Sequence, residues 1–260
     1  MAMSTNQQTT ANTRTHNSEE AAIRGNPSFV WRAGQERRLA MVCRHVELEN
    51  RRVLAVGCGI GMYTSAFQRY SSHVYGIEIE LDRAAEALRR AAGVAQAMGE
   101  FLPFEDDSFD VVFSHEVLEH VDNDRLCTTE MLRVTRPGGH IVIFVPNRLY
   151  PFETHGIYWR GTYYFGNIPL INWLPNALRN RLAPHVRAYT SLGLHDLFEG
   201  RPVRTVAHTQ IYPGYDNIVA RHPQLGRVIQ AVTYGLEHTP LKALGLSHFL
   251  VLQVQPESGT

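Results

Sequence analysis

At 260 residues and 44% hydrophobic, the chain is long enough for one full α/β core plus a sizeable insertion. Its 25 basic and 25 acidic residues cancel, which speaks against a broadly basic surface for nucleic acid. No apolar run approaches the ~18 residues of a membrane span, no signal-peptide core opens the chain, and Cys43, Cys58 and Cys127 lack metal-ligand spacing. A reducing cytoplasm is the expected location.

Residues 1–28 are rich in Thr, Asn, Gln and Ser and read as a disordered tail, with one domain over 29–260. Leu39, Val42 and Val46 recur at helical spacing and predict an amphipathic helix between Val30 and Leu48. Val53 to Val56 follow as a short buried strand that runs into Gly57, Gly59 and Gly61, after which Tyr63 to Tyr70 is compatible with a helix. Strands are then expected near 73–78, 94–98, 109–114 and 140–145, with helices near 82–92 and 124–134. This alternation implies a Rossmann-like, mostly parallel sheet with helices on both faces. Pro137-Gly138-Gly139 reads as the turn feeding the fifth strand.

Asn147 to Pro184 breaks the rhythm. It carries eight of the chain's 25 aromatics among glycines and prolines, and reads as an aromatic-rich insertion or lid after strand 5. Residues 189–198 look helical with Thr190 or Ser191 as cap. Val203 to Gln210 and His248 to Val254 are the last two expected strands, flanking a helix near 224–236.

A strand, a glycine turn and a helix bring backbone N–H groups close to a ligand, because glycine has no Cβ to hold it away. Glu78, 21 residues after Gly57, ends the next strand, where such folds place an acid on ribose hydroxyls. A dinucleotide fingerprint would put its third glycine at position 62, which is Met62, and this disfavours a nicotinamide oxidoreductase. GCGIG, together with LPFEDDSFDVVFS from Leu102, HEVLEHV and LRVTRPGGHIVIFVPN, resembles the class I S-adenosylmethionine-dependent methyltransferases, in the small-molecule branch often called type 11. The resemblance runs from about Arg51 to Asn147 and implies a seven-stranded sheet whose last strand is antiparallel.

The resemblance also implies the site. Gly57, Gly59 and Gly61 would approach the methionine and ribose parts of S-adenosylmethionine, with Cys58 as a filler in the turn rather than a nucleophile. Glu78 would take the ribose hydroxyls, Ile79 would pack on adenine, Glu100 would flank it, and Ser114 would end the fourth strand at the ligand edge. Two departures stand out: Ala55 where an acid is usual, and Met98 where aspartate often binds adenine. His115 and His155 are the candidate catalytic bases, because histidine titrates near neutrality. Only Lys242 among the 25 basic residues is a lysine, so a lysine base is not expected.

Glu116, Glu119 and His120 form E-x-x-E-H, which resembles the metal motif of ubiquinone-pathway and small-RNA O-methyltransferases, with His155 as a natural fourth ligand. The expected function is methyl transfer to oxygen or nitrogen of a small molecule or a glycan- or lipid-linked intermediate. The rivals are a metal-dependent O-methyltransferase on RNA or a quinone precursor, and a non-catalytic S-adenosylmethionine-binding module. Between Arg148 and Arg204 seven arginines face three acids, an excess suited to phosphate or carboxylate. Trp173, Leu174 and Leu178 offer a short apolar patch for membrane-surface contact, in a segment broken by Pro169 and Pro175.

Overall fold

The computed structural model describes residues 31–256; the tail read over residues 1–28 lies outside the described residues. Helix α1 (Ala33–His45) leads into β1 (Val53–Val56), α2 (Met62–Phe67), β2 (Val74–Glu78), α3 (Leu81–Ala87), β3 (Gly93–Gln96), β4 (Phe109–His115), α4 (Asp124–Val134) and β5 (Thr135–Pro146). After the insertion come α6 (Ser191–His195), β10 (Val203–Ile211), α7 (Asp216–Arg221), α8 (Pro223–Leu236) and β11 (Ser247–Val254). One seven-stranded sheet runs in the order β10-β11-β5-β4-β1-β2-β3. Its strands pair in parallel from β3 to β5, and β11 is antiparallel to both β5 and β10.

The sheet is buried on both faces, which is why its strands read as unbroken apolar runs. Successive side chains point to opposite sides, so Leu54 and Val56 join one core with Ile77, Val112 and Met131. Val53 and Ala55 join the other with Leu39, Val42 and Phe67. Helices α4 and α6 cover the first face; α1 and α2 cover the second.

Two expectations are refined by the backbone. The Pro137–Gly139 turn is absorbed into β5 as a bulge: between Phe109↔Thr135 and Val111↔His140, β5 uses five residues where β4 uses two. Gly138 takes φ +79°, and a Cβ on Gly139 would stand 2.9 Å from the Arg136 and Asp110 carbonyl oxygens. Helix α7 had no counterpart in the sequence pattern, since its six residues are too few to show a period.

The insertion has structure of its own. Strand β6 (Phe152–Glu153) pairs with β9 (Ile168–Pro169), β7 (Ile157–Trp159) forms a hairpin with β8 (Thr162–Tyr164), and α5 (Asn176–Leu182) closes the segment. Its root is stapled to the segment just before β11. Buried Asn147 donates Nδ2–H to the carbonyls of Ala243 and Gly245 at 2.8 and 2.7 Å, and its backbone N–H donates to Leu246 O at 2.9 Å.

A row of three histidines links α6 to the sheet. His195 Nε2 lies 2.9 Å from His208 Nδ1, His208 Nε2 lies 3.1 Å from His248 Nδ1, and His248 Nε2 lies 2.9 Å from the Tyr189 carbonyl oxygen. A carbonyl only accepts, so His248 donates through Nε2 and each ring in turn accepts at its Nδ1 or donates at its Nε2 as a neutral imidazole. Burial, then His248 and His195, push His208 down to about 4, and burial lowers His248 as well. The unfolded chain binds these protons from about pH 6.5 downwards while the folded chain resists. Stability is therefore fully present above that pH and is lost as pH falls towards 4. The melting temperature should drop between pH 7 and pH 5, and His208→Gln should show a visibly smaller drop over the same interval.

Candidate active site

The carboxyl ends of β1, β2 and β4 open on one cavity of about 580 Å³, lined by residues of the glycine turn, the β2 end, the β4 end and the insertion. The turn after β1 is left-handed at Gly57 (φ +64°), Gly59 (φ +55°) and Gly61 (φ +85°). At Gly57 a Cβ would stand 2.4 Å from Val117 Cγ2, so only glycine fits that backbone there. Glu78, 5% exposed, holds the turn in place. Its Oε2 accepts from Gly59 N–H at 2.8 Å, and its Oε1 accepts from Ile79 and Glu80 N–H at 3.0 and 3.1 Å.

Gly57, Cys58, Gly59, Glu78, Ile79 and Glu100 all line this cavity. Ile79 and Met98 add exposed apolar side chains to the lining, 41% and 37% accessible. Glu100 is buried and accepts from Asn123 N–H at 3.1 Å. The Cys58 thiol is pushed up to about 12 by burial and by Glu78, so no thiolate nucleophile is available at neutral pH.

Gly61 and Ser114 stand outside the lining. Gly61 caps α2, where a Cβ would meet Ala87 Cα at 2.9 Å, so its role is close packing against α3. Ser114 lies within the sheet, opposite Val56 on β1 and Ile143 on β5, and is fully buried.

The far end of the same cavity is built from β4, the HEVLEHV segment and the insertion. His115, Glu116, His120, Thr154, His155 and Phe165 line it. His155 follows β6, and its Nδ1 lies 3.0 Å from Glu153 Oε1. A carboxylate only accepts, so Nδ1 carries the hydrogen and Nε2 is left to face other partners. Glu153 is 2% exposed and accepts on Oε2 from Arg179 Nη2 at 2.8 Å. Arg179, from α5, is 3% exposed and also donates to Val186 O at 2.7 Å. Burial would raise the Glu153 carboxyl, but His155 and Arg179 outweigh it and hold the group below the usual range.

His115 is a different histidine. Burial, then the Arg38 charge, push it down to about 4, so it is a weak base near neutrality. Its ring packs on Tyr63 at 4.9 Å and Phe144 at 5.4 Å. Tyr63 also lines the cavity, though the sequence offered it only as a helix residue.

The E-x-x-E-H segment folds so that Glu119, His120 and His155 converge, each offering a ligand atom within 4.8 Å of the others. Glu119 is 1% exposed, and neither carboxylate oxygen has a hydrogen-bond partner. Burial and the neighbouring Glu116 raise its pKa well above the usual range. Burial, then His155, lower His120 to about 4, which leaves it neutral with a free lone pair. Glu116 stands beside Glu119 in the cavity wall: it takes φ +56° and accepts from Ser247 Oγ at 3.1 Å. Glu153 could have been noticed in sequence as the acid two residues before His155. Arg179 and Ser247 carried no local signal.

The methyltransferase domain family matches residues 54–143. An uncharacterized methyltransferase of Mycolicibacterium gilvum is 42% identical over 110 residues, 41% of this chain and 43% of the relative, so the chain spans less than half the length of that relative. A solved S-adenosylmethionine-dependent methyltransferase from Mesorhizobium loti superposes with TM-score 0.58 at 17% identity, over 83% of this chain and 96% of that one. The [4+2]-cyclase SpnF does so with TM-score 0.56 at 16% identity, over 88% and 84%. Residues 54–143 thus match the methyltransferase domain family, and the chain shares the Rossmann-like fold of these solved structures, with its seven-stranded, mostly parallel sheet.

Proposed function

We propose that the chain transfers the methyl group of S-adenosylmethionine to an oxygen or nitrogen of a small molecule or a glycan- or lipid-linked intermediate, with His155 as general base. The observation that carries this reading is a single cavity lined both by the glycine turn with Glu78 and by His155, whose ring is held by the buried Glu153. S-adenosylmethionine supplies an electrophilic methyl on a sulfonium, so the protein needs chiefly to orient the acceptor and remove its proton. Gly57 and Gly59 leave room for close approach of the backbone, and Glu78 accepts from ribose hydroxyls. Ile79 and Met98 give adenine apolar neighbours, with backbone groups at Met98 in place of an aspartate. His155 Nε2 takes the acceptor proton, while Glu153 fixes the tautomer and stabilises the imidazolium that results. His155 and then Arg179 hold the buried Glu153 carboxyl below its usual range.

Metal-dependent O-methyl transfer is the second reading, favoured by the convergence of Glu119, His120 and His155 and by the unpartnered oxygens of Glu119. Two imidazoles and a carboxylate suit a divalent transition-metal ion. Such an ion would draw Glu119 into its ionised form and polarise the acceptor oxygen, with His155 as a ligand rather than a base.

Calorimetry with S-adenosylmethionine tests the cofactor end. Gly59→Val should abolish binding, and Glu78→Ala should weaken it by ~1.5–3 kcal/mol, the range for a hydrogen bond to a charged group. Unchanged affinity in both variants would remove the cofactor assignment. For the acceptor end, His155→Ala should lower turnover by ~10²–10⁴ with cofactor affinity near wild type. Glu153→Gln should slow turnover less, again without moving cofactor affinity. A chelator separates the two readings: base catalysis expects unchanged turnover, whereas loss restored by added manganese, and not restored in Glu119→Gln, would establish the metal.

A further inference from the structure

The outer side of the insertion is apolar where nothing in the fold requires it. Leu149, Phe152, Leu170, Trp173 and Leu178 are 46%, 38%, 54%, 51% and 52% exposed. They form one neighbourhood: Trp173 Nε1 donates to Leu149 O at 2.9 Å, Leu170 N–H donates to Pro151 O at 2.7 Å, and Phe152 pairs with Pro169. Helix α5, which carries Leu178, packs against β7 and brings the hairpin with half-exposed Trp159 alongside.

Leu170 is the sharpest of these. It takes φ +65°, a left-handed backbone that glycine or asparagine adopts at little cost, and it exposes an apolar side chain from that position. Neither local geometry nor burial favours leucine there. An apolar residue kept against both preferences points to a partner outside the chain.

Charge says which partner. From Arg148 to His195 the only acid is Glu153, and it is buried and paired with Arg179. Arg160, at the tip of the β7–β8 hairpin, and Arg181, at the end of α5, are exposed in the same segment. A second copy docking face to face would set arginine against arginine with no acid to receive it. Tryptophan, leucine and unopposed arginine match the boundary of an anionic bilayer, where rings lie at headgroup depth and guanidinium groups meet phosphates.

We propose that this outer face of the insertion docks on an anionic lipid surface. Phe152 faces outward while Glu153 beside it is buried and holds His155, so the docked face and the cavity wall are opposite sides of one short strand. A lipid-borne acceptor would then be delivered beside the candidate base. Docking itself does not depend on methyl transfer.

Vesicle flotation tests it with the full chain. Liposomes of phosphatidylcholine alone are compared with liposomes in which phosphatidylglycerol replaces about a third of the lipid. The protein should float with the second and stay behind with the first, and added salt should release it. The triple variant Leu170→Asn, Trp173→Ala, Leu178→Ser should lose about tenfold in partitioning. Because Trp173 also bonds within the fold, the charge variant Arg160→Glu, Arg181→Glu serves as a second test and should lose a similar amount. Calorimetric affinity for S-adenosylmethionine should be unchanged in both, so that failure of docking and failure of the cofactor assignment are separately visible. No flotation, equal flotation on neutral lipid, or undiminished flotation of the charge variant would overturn the proposal. So would a concentration-dependent dimer that the triple variant abolishes while vesicle binding is absent.

Discussion

Glu78 is an anion buried at the junction of two strands, and it is tolerated because three backbone N–H groups point at it. A carboxylate with that many donors stays charged out of water, where an unpaired one would be prohibitively costly. The bond to Gly59 ties the end of β2 to the middle of the glycine turn. Three alternate residues of that turn have positive φ, and its own backbone adds two bonds, from Cys58 N–H to Ile77 O at 2.8 Å and from Gly61 N–H to Cys58 O at 2.9 Å. Together with the buried anion, these bonds fix the turn that leads into α2 and borders the cavity.

The acceptor end obeys the opposite logic in one half and the same logic in the other. Arg179, Glu153 and His155 form a line in which every buried charge has a partner, so the line is rigid and its polarity is set before a substrate arrives. Both Glu119 carboxylate oxygens and His120 Nδ1 lack a hydrogen-bond partner, and the titration of these groups moves towards the neutral forms as burial demands. A site that keeps one half fully satisfied and the other half short of partners reserves its binding energy for whatever fills the gap.

Much of this was legible in the chain because the relevant patterns are local. Val53–Val56 followed by Gly57, Gly59 and Gly61 specifies strand, turn and helix within a dozen residues, and Glu78 falls at the end of the next apolar run. The convergence of His155 with Glu119 and His120 was foreshadowed by motif and by the exit of the chain from β5. Other features were closed to a linear reading. Arg179 lies 26 positions from the Glu153 it neutralises, and Ser247 lies 131 positions from the Glu116 it contacts. Ser114 and Gly61 had the right neighbours in sequence, yet a side chain's direction within the sheet and a close helix contact decide that they stay out of the cavity. The bulge at Pro137–Gly139 preserved the strand that a turn would have interrupted, because β4 continues past it and supplies the missing partners.

The strand that comes after all the others does not lie at an edge. β11 inserts between β5 and β10; the segment just before it grips Asn147 at the root of the insertion, and its first residue, Ser247, donates to Glu116 in the cavity wall. During vectorial synthesis on a ribosome, β5 and β10 must therefore wait with unpaired edges facing each other until this strand emerges from the exit tunnel. Assembly of the acceptor end is consequently a late event even though its histidines and carboxylates are made early. A nascent chain arrested just before Ser247 would hold a formed glycine turn beside an unfinished pocket, and its exposed strand edges would make it a natural client for a holding chaperone.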